Sequence, residues 1–414
     1  IAQGSILAIA SILVRVMGMI YRIPMTAIIG DKGNGFYSYA YSVYTILLLL
    51  SSYSLPLAVS KMVSAKAQLG QWRNVKRVFI CAIAFAIGIG TTFGLIVLIG
   101  AQFYTRVFFH SELAAIALRF MAPTILIMAL LGVFRGFFQG LQNTLPTAVS
   151  QIVEGLINAI MSVVFAYFLF DIGHGMDAAG GTTDLGYAWG AAGGAIGTGA
   201  GALAGLIFCF ILFVAYRKIL AVNISRDKTG TQQEYGDIFR LMLSIALPVI
   251  LSTALYNLIE LVDGSLFNNI MASKGMEDVK DSMWGAYFAK ALLLVHIPVS
   301  ISSAMAVSLV PTLTAAYALG DEQTAKSKVH AILRFISILA FPSAVGLLVL
   351  ANPIIKTLFS GDTSAASTYL QVVCPAVITF SFSTITNSIL QGIDRMNLDY
   401  YKTFYYVALS KNFT

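Results

Sequence analysis

The stretch Ile80–Gly100 reads ICAIAFAIGIGTTFGLIVLIG and carries no charged side chain. An apolar helix of about 20 residues is long enough to cross the hydrocarbon core of a bilayer. Similar runs recur at Pro123–Phe134 and Ile338–Leu350, each with apolar flanks. Of the 414 residues, 58% are hydrophobic and only 11% are charged, whereas soluble domains carry about 25% charged residues. The sequence therefore predicts an all-α polytopic membrane protein.

Hydropathy, interrupted by Gly, Pro and charged residues, predicts ten membrane helices. They are placed at residues 5–29, 36–63, 77–103, 113–139, 146–171, 187–216, 238–268, 283–315, 328–350 and 365–390, and an eleventh begins near Tyr400. Orientation follows from the basic residues in the connections, because cytoplasmic connections carry an excess of Lys and Arg. One side collects most of them, including Arg73, Arg217 and Lys326. We predict that this side, together with the N-terminus, is cytoplasmic.

Short sequence matches recur at an offset of about 250 residues. The run Gly94–Leu98 reappears as Gly346–Leu350, Pro123 matches Pro375, and Gln139-Gly140 matches Gln391-Gly392. We interpret this series as the duplication of a six-helix unit. Because six is even, both copies enter the membrane from the same side, as parallel repeats in transporters do.

The duplication predicts two helical bundles. Residues 1–220 form an N-terminal six-helix bundle, residues 221–237 a cytoplasmic linker, and residues 238–414 a C-terminal bundle. The second copy should contain two further helices near 398–423 and 439–468. We therefore expect this bundle to be incomplete, with four helices and the start of a fifth, and the chain to be a fragment of a longer protein.

Charged residues inside the predicted spans are candidate functional residues, because each costs on the order of 3 kcal/mol at the bilayer centre. Arg15 and Arg22 are seven residues apart and share one face of the first helix. Glu260 and Asp263 share a face of the seventh helix, and Lys290 lies in the eighth. The first and seventh helices are equivalent in the predicted repeat, and so are the second and eighth. We therefore predict a hydrated central cleft between the bundles whose cations bind an anionic ligand.

An alternative stays open, in which Arg15, Arg22 and Lys290 pair with Glu260 and Asp263 as buried structural ion pairs.

Other charges have simpler interpretations. Asp31 lies in the turn Gly30–Gly35, so we treat it first as a turn residue and second as a candidate ligand contact. Arg135 lies close to a cytoplasmic helix end and is expected to extend towards lipid headgroups. Glu154 either lines the cavity or anchors the fifth helix to a neighbour.

The sequence contains no Walker loop and no HExxH, GxSxG or dinucleotide-binding motif. The three cysteines show no CxxC spacing, and the basic residues behind the net charge of +7 are scattered. We therefore predict no enzymatic activity, no cofactor, no metal site and no nucleic-acid partner. Transport would be driven by a coupling ion (Na+ or H+), the membrane potential or a substrate gradient.

Three segments carry a family resemblance. They are SILVRVMGMIYRIP at Ser11–Pro24, RGFFQGLQN at Arg135–Asn143 followed by Pro146–Gln151 and Glu154, and QGIDRMN at Gln391–Asn397. The chain resembles the stage V sporulation protein B and YtgP branch of the MurJ-like lipid flippases. That branch belongs to the multidrug/oligosaccharidyl-lipid/polysaccharide (MOP) exporter superfamily. The resemblance extends over essentially the whole chain.

The resemblance implies a two-bundle, MATE-like flippase that moves undecaprenyl-linked lipid II across the bacterial inner membrane by alternating access. In such proteins cations of the first and eighth helices line the cavity, and Arg15, Arg22 and Lys290 match those positions. The basic residue that MurJ proteins also carry in the second helix has no match within Tyr37–Ser60. The alternatives are an exporter of another polyprenyl-linked oligosaccharide, a cation-coupled drug exporter and a scaffold without transport activity.

Overall fold

A computed structural model describes residues 2–180, 184–318, 321–361 and 363–392. The elements are α1 Ala2–Ile20, α2 Arg22–Leu48, α3 Leu55–Gln68, α4 Trp72–Phe109, α5 Ala114–Gly140, α6 Leu145–Gly180, α7 Leu185–Arg226, α8 Tyr235–Ser273, α9 Glu277–Ala286, α10 Leu293–Ala318, α11 Glu322–Val349, α12 Ala351–Leu358, α13 Ser364–Val373 and α14 Ala376–Gly392, with π-helical turns at Leu49–Tyr53 and Tyr287–Leu292. No strand occurs in these described ranges. The predicted all-α class is confirmed.

Within the described ranges, seven helical segments are long and apolar enough to cross a membrane. They are Arg22–Gln68, Trp72–Phe109, Ala114–Gly140, Leu145–Gly180, Leu185–Arg226, Glu277–Ser303 and Glu322–Val349. An eighth results if α13 and α14, which meet at a bend of 44°, form one span. Pro375 lies at this bend, where its ring removes a helical hydrogen bond. The chain is thus a multi-pass membrane protein. The predicted eleventh helix near Tyr400 lies outside the described residues.

The chain divides into two compact units. Unit 1 comprises Ile1–Ile29 and Phe36–Lys280, and unit 2 comprises Gly30–Gly35 and Asp281–Thr414. Helix α8 packs on α3 and α4, so it belongs to unit 1, although sequence analysis assigned its residues to the C-terminal bundle. The bundle boundary at 221–237 and the parallel repeat stay predictions.

A break at Gly30 separates the first two predicted helices. Its backbone has φ 63° and ψ −174°, inside an otherwise helical α2. This region is accessible essentially only to glycine, because a Cβ would clash with the backbone. The helical path ends at Ile29 and resumes in a new direction through Asp31. Gly30 thereby places the short segment Gly30–Gly35 in unit 2.

Helices α6 and α7 pack with their backbones in close approach, because glycines of α7 face α6. A Cβ on Gly193 would collide with the backbone of Phe165 and Ala166, and one on Gly197 would collide with Ser162. A Cβ on Gly201 would lie only 2.6 Å from the carbonyl oxygen of Glu154. Small residues at helix interfaces allow such contacts in membranes. These glycines therefore serve the packing of α7 on α6.

The connection between α7 and α8 is fastened to the N-terminus of α4. The backbone N–H of Arg73 donates to Asp227 Oδ2 at 2.9 Å. Asn74 Nδ2 donates to the Thr231 carbonyl at 3.1 Å, and Gln233 N–H donates to Asn74 Oδ1 at 3.0 Å. The segment predicted as a linker, 221–237, is therefore ordered. Its first part completes α7, and its second part is bound to α4.

We expect the Asp227→Asn variant to melt at a lower temperature than the parent at neutral pH. The N–H of Arg73 and the hydroxyl and N–H of Thr229 lower the pKa of Asp227 from 3.8 to about 2. Because the folded value lies below the unfolded one, the carboxylate stabilises the fold above pH 4, roughly, and this contribution is lost as the pH falls through about 2.

Thermal unfolding in detergent between pH 2 and 7 measures this effect. The difference between parent and variant should shrink from about pH 4 downwards. The exposed Asp237, changed to Asn, is the control and should show a much smaller effect. A pH-independent difference at Asp227 contradicts the assignment.

Candidate functional site

A polar cleft of about 260 Å³ lies within unit 1, where α1, α5 and α6 meet. It is lined by Ser11, Val14, Arg15, Arg135, Gln151 and Glu154. Ser11 Oγ donates to Gln151 Oε1 at 3.4 Å and so joins α1 to α6. At about 30 Å³ per water, the cleft has room for roughly nine waters or a group of similar size. A polar cavity of this kind inside membrane-spanning helices is a candidate ligand site.

Two cations line this cleft, Arg15 and Arg135, and the side chain of Arg15 is exposed. Within the described part of the chain it has no hydrogen-bond or ion-pair partner. An arginine offers five N–H donors in a fixed planar fork that suits phosphate or carboxylate oxygens. The structure therefore presents the donors of Arg15 to whatever enters the cleft.

Arg135 also lines the cleft and is buried, with 9% of its surface exposed. Its Nη2 donates to Glu154 Oε2 at 2.7 Å, and its Nε donates to Ser150 Oγ at 2.9 Å. The expectation that Arg135 extends to the lipid headgroups is wrong. The pair with Glu154 lets the guanidinium stay inside the helix packing, because a buried charge that is paired and hydrogen-bonded is tolerated. Glu154 thus anchors α6 to α5 and also lines the cleft.

Arg22 lies beyond α1, at the start of α2, and its side chain is half-buried. It is hydrogen-bonded to the phenol of Tyr21 and lies near the phenols of Tyr37 and Tyr41. Tyr37 stacks on Tyr41 with ring centroids 5.8 Å apart. Tyr44, on the same helix, lies near Glu154. Tyrosines of α2 therefore lie near both Arg22 and Glu154.

Lys290 is almost fully buried, with 2% exposed, and its charge is balanced by Asp31 in unit 2. Lys290 Nζ donates to Asp31 Oδ2 at 2.9 Å and lies 2.8 Å from Oδ1. The lysine lies in the π-helical turn Tyr287–Leu292, a distortion that is frequent at functional sites. A Cβ on Gly285 would collide with the carbonyl oxygen of Asp31, so this glycine permits the close approach. Asp31 is thus a charge partner as well as a residue next to a helix break.

The predicted acidic pair of α8 is only partly described. Asp263 has an exposed side chain, and the side chain of Glu260 lies outside the described residues. The pairing of these carboxylates with Arg15, Arg22 and Lys290 stays a prediction. So does a cleft shared by the three cations, of which Arg15 and Arg22 belong to unit 1 and Lys290 to unit 2.

Comparison with known proteins places these features in a family. The profile of a family described as polysaccharide biosynthesis protein matches residues 1–316. A second profile with the same description matches residues 279–367.

The chain belongs to the polysaccharide biosynthesis protein family.

Two relatives of this family member come from Bacillus subtilis (strain 168). The present chain is 26% identical to lipid II flippase MurJ over 405 residues, which covers 94% of this chain and 72% of the relative. It is 23% identical to stage V sporulation protein B over 398 residues, which covers 95% of this chain and 73% of the relative. The predicted resemblance to MurJ-like members of the MOP superfamily is confirmed.

The fold of this family member matches that of a solved transporter. An inward-facing multidrug resistance MATE family transporter of the MOP superfamily superposes with a TM-score of 0.72 at 14% identity. The match covers 95% of this chain and 87% of the transporter. At this identity the likeness shows the fold, and it confirms the predicted MATE-like fold class.

Proposed function

We propose that this protein is a flippase that moves undecaprenyl-pyrophosphate-linked peptidoglycan precursor (lipid II) across the bacterial inner membrane by alternating access. Its N-terminus is cytoplasmic in this proposal. The observation that carries it is the polar cleft within unit 1, where Arg15 has no partner in the described part of the chain. The similarity to a Bacillus lipid II flippase supports the choice of substrate.

The chemistry of the cleft suits a pyrophosphate. Moving a phosphate group through the membrane requires donors that replace its hydration, because a charge in hydrocarbon without partners is very costly. Arginine supplies paired N–H groups in the geometry of phosphate oxygens. In this proposal Arg15 contacts the pyrophosphate, Arg22 with its tyrosines contacts a further polar part of the substrate, and Lys290 contributes from unit 2. The prenyl chain stays in the lipid.

Energy for transport comes from a Na+ or H+ gradient, the membrane potential or the substrate gradient in this proposal, since the sequence contains no nucleotide-binding motif.

A second candidate is export of another polyprenyl-linked oligosaccharide. The family description, polysaccharide biosynthesis protein, and the similarity to stage V sporulation protein B favour it. The segment Tyr37–Ser60 also favours this candidate, because it lacks the basic residue that MurJ proteins carry in the second helix. Three of its tyrosines lie near Arg22 or Glu154. Both candidates share the pyrophosphate, so they differ in the sugar and peptide that follow it.

Depletion of the full-length protein in its host tests the proposal. Lipid-linked precursors are extracted and identified, and the fraction on the cytoplasmic face is measured. Accumulation of lipid II on that face is the expected result, and re-expression of the parent should reverse it. Accumulation of a different polyprenyl-linked glycan establishes the second candidate. No accumulation of any lipid-linked precursor overturns both.

A further inference from the structure

Arg135 is held in place by two groups that act independently. Nε donates to Ser150 Oγ at 2.9 Å, and Nη2 donates to Glu154 Oε2 at 2.7 Å. Ser150 is itself fixed, because its hydroxyl donates to the Thr147 carbonyl at 2.8 Å and so turns an oxygen lone pair towards Arg135. The guanidinium therefore keeps its position and orientation if Glu154 moves away.

Glu154 is less firmly held than its partner. Its side chain is 25% exposed, against 11% for that of Arg135, and it opens to the cleft. In the described part of the chain its carboxylate has one hydrogen-bond donor, the guanidinium of Arg135. Since the cleft is polar, a carboxylate that leaves Arg135 loses one ion pair and regains water. The movable member of the pair is the glutamate.

The charges around the cleft are unequal. Two guanidinium groups, Arg15 and Arg135, face one carboxylate. A phosphate or pyrophosphate that enters brings two or more negative charges and offers each arginine a pair of oxygens. Like charges within a few ångströms repel strongly at low dielectric, so the entering anion and Glu154 cannot both remain at Arg135.

We propose that this cleft binds a pyrophosphate or phosphate group between Arg15 and Arg135, with Glu154 as a resident competitor that the anion displaces. This inference rests on the proposed function and adds two residues to its site. In the empty protein Glu154 satisfies Arg135, which keeps the buried cation paired. During transport the same carboxylate returns to Arg135 and helps to release the anion, so that binding does not become too tight for turnover.

The test is binding of pyrophosphate compounds to the purified full chain in lipid nanodiscs, measured by isothermal titration calorimetry. Inorganic pyrophosphate and farnesyl pyrophosphate are the two probes. Glu154→Gln removes the charge at constant shape, so it should bind about tenfold more tightly, as expected for loss of one nearby like charge. Arg135→Gln should bind at least about tenfold more weakly, since it loses a charge-assisted contact. The control is Glu112→Gln, an exposed glutamate, with affinity unchanged.

Glu154→Asp provides a second variant if the glutamine variant does not fold. Its shorter side chain withdraws the carboxylate from Arg135 while keeping the charge, so binding should also tighten. Unchanged or weaker binding by the folded glutamate variants overturns the competitor role. Tightening with farnesyl pyrophosphate supports a lipid headgroup as the ligand. Tightening with inorganic pyrophosphate alone overturns the lipid source and assigns the cleft to a free anion.

The proposed function is checked separately by Arg15→Gln in the same titration. If this variant binds pyrophosphate as the parent does, the cleft is not the substrate site and the proposed function loses its main support. If it loses binding while Glu154→Gln behaves as the parent, only the competitor role fails.

Discussion

Arg15→Gln is expected to abolish transport and to leave the protein folded. The side chain faces the cleft and has no charge partner in the described part of the chain, so its removal strands no buried carboxylate. Glutamine also has a helix propensity close to that of arginine. A charge-assisted hydrogen bond contributes about 1.5–3 kcal/mol, so loss of such contacts to the pyrophosphate reduces the transport rate by roughly 10- to 100-fold per bond.

Precursor flipping in proteoliposomes and thermal unfolding in detergent measure the two effects separately. Arg15→Lys should recover part of the activity, because an ammonium keeps the charge but lacks the planar fork. Arg119→Gln is the matched control, since Arg119 is an exposed arginine of another spanning helix, and it should retain parental activity. An inactive but unfolded Arg15→Gln protein supports the structural ion-pair alternative. A fully active one removes Arg15 from the site.

Breaking the ion pair of Asp31 and Lys290 is expected to lower stability more than any of the other substitutions. Lys290 is 2% exposed and lies 2.8 Å from Asp31 Oδ1, so Asp31→Asn removes the carboxylate next to a buried ammonium. Removing one member of a buried pair typically costs 3–5 kcal/mol, which is roughly a third or more of a typical domain's stability. We expect both Asp31→Asn and Lys290→Met to express poorly or to melt well below the parent.

The combination Asp31→Asn with Lys290→Met removes both charges of the pair and should regain most of the lost stability. Its activity then tests the predicted substrate contact of Lys290, because a stable but inactive double variant supports that contact. The control is the exposed pair Lys326 and Glu322 at 2.9 Å, whose disruption should leave the melting temperature nearly unchanged because solvent screens it. Equal melting temperatures for the single and double variants contradict the structural importance of the pair.

The membrane class and the positions of the helices are predictable from the sequence because both depend on local composition. Runs such as Ile80–Gly100 have to be helical in a bilayer, where every backbone polar group needs an internal partner. The packing role of Gly193 and Gly197 could likewise be inferred from the small size of these residues. Such features need no knowledge of which helices are neighbours.

The charge partners were harder to predict, because they depend on which helices meet. Lys290 pairs with Asp31, which sequence analysis treated first as a turn residue, and Arg135 pairs with Glu154 instead of extending to headgroups. A signal was present in both cases. Each pair combines opposite charges inside or close to predicted spans, where an isolated charge is expensive. Counting such charges does not by itself say which of several opposite charges is the partner.

The break at Gly30 affects the order in which the parts of the protein can assemble. Asp31 and Lys290 are 259 residues apart, so a ribosome that adds about 5–20 residues per second delivers the lysine roughly 13–50 s after the aspartate. In that interval the carboxylate of the nascent chain is solvated by water, by headgroups or by the insertion machinery. The segment Gly30–Gly35 is synthesised early, yet it belongs to a unit whose other residues begin at Asp281. Assembly of unit 2 therefore includes a late docking step, in which a segment made early joins helices that are made much later.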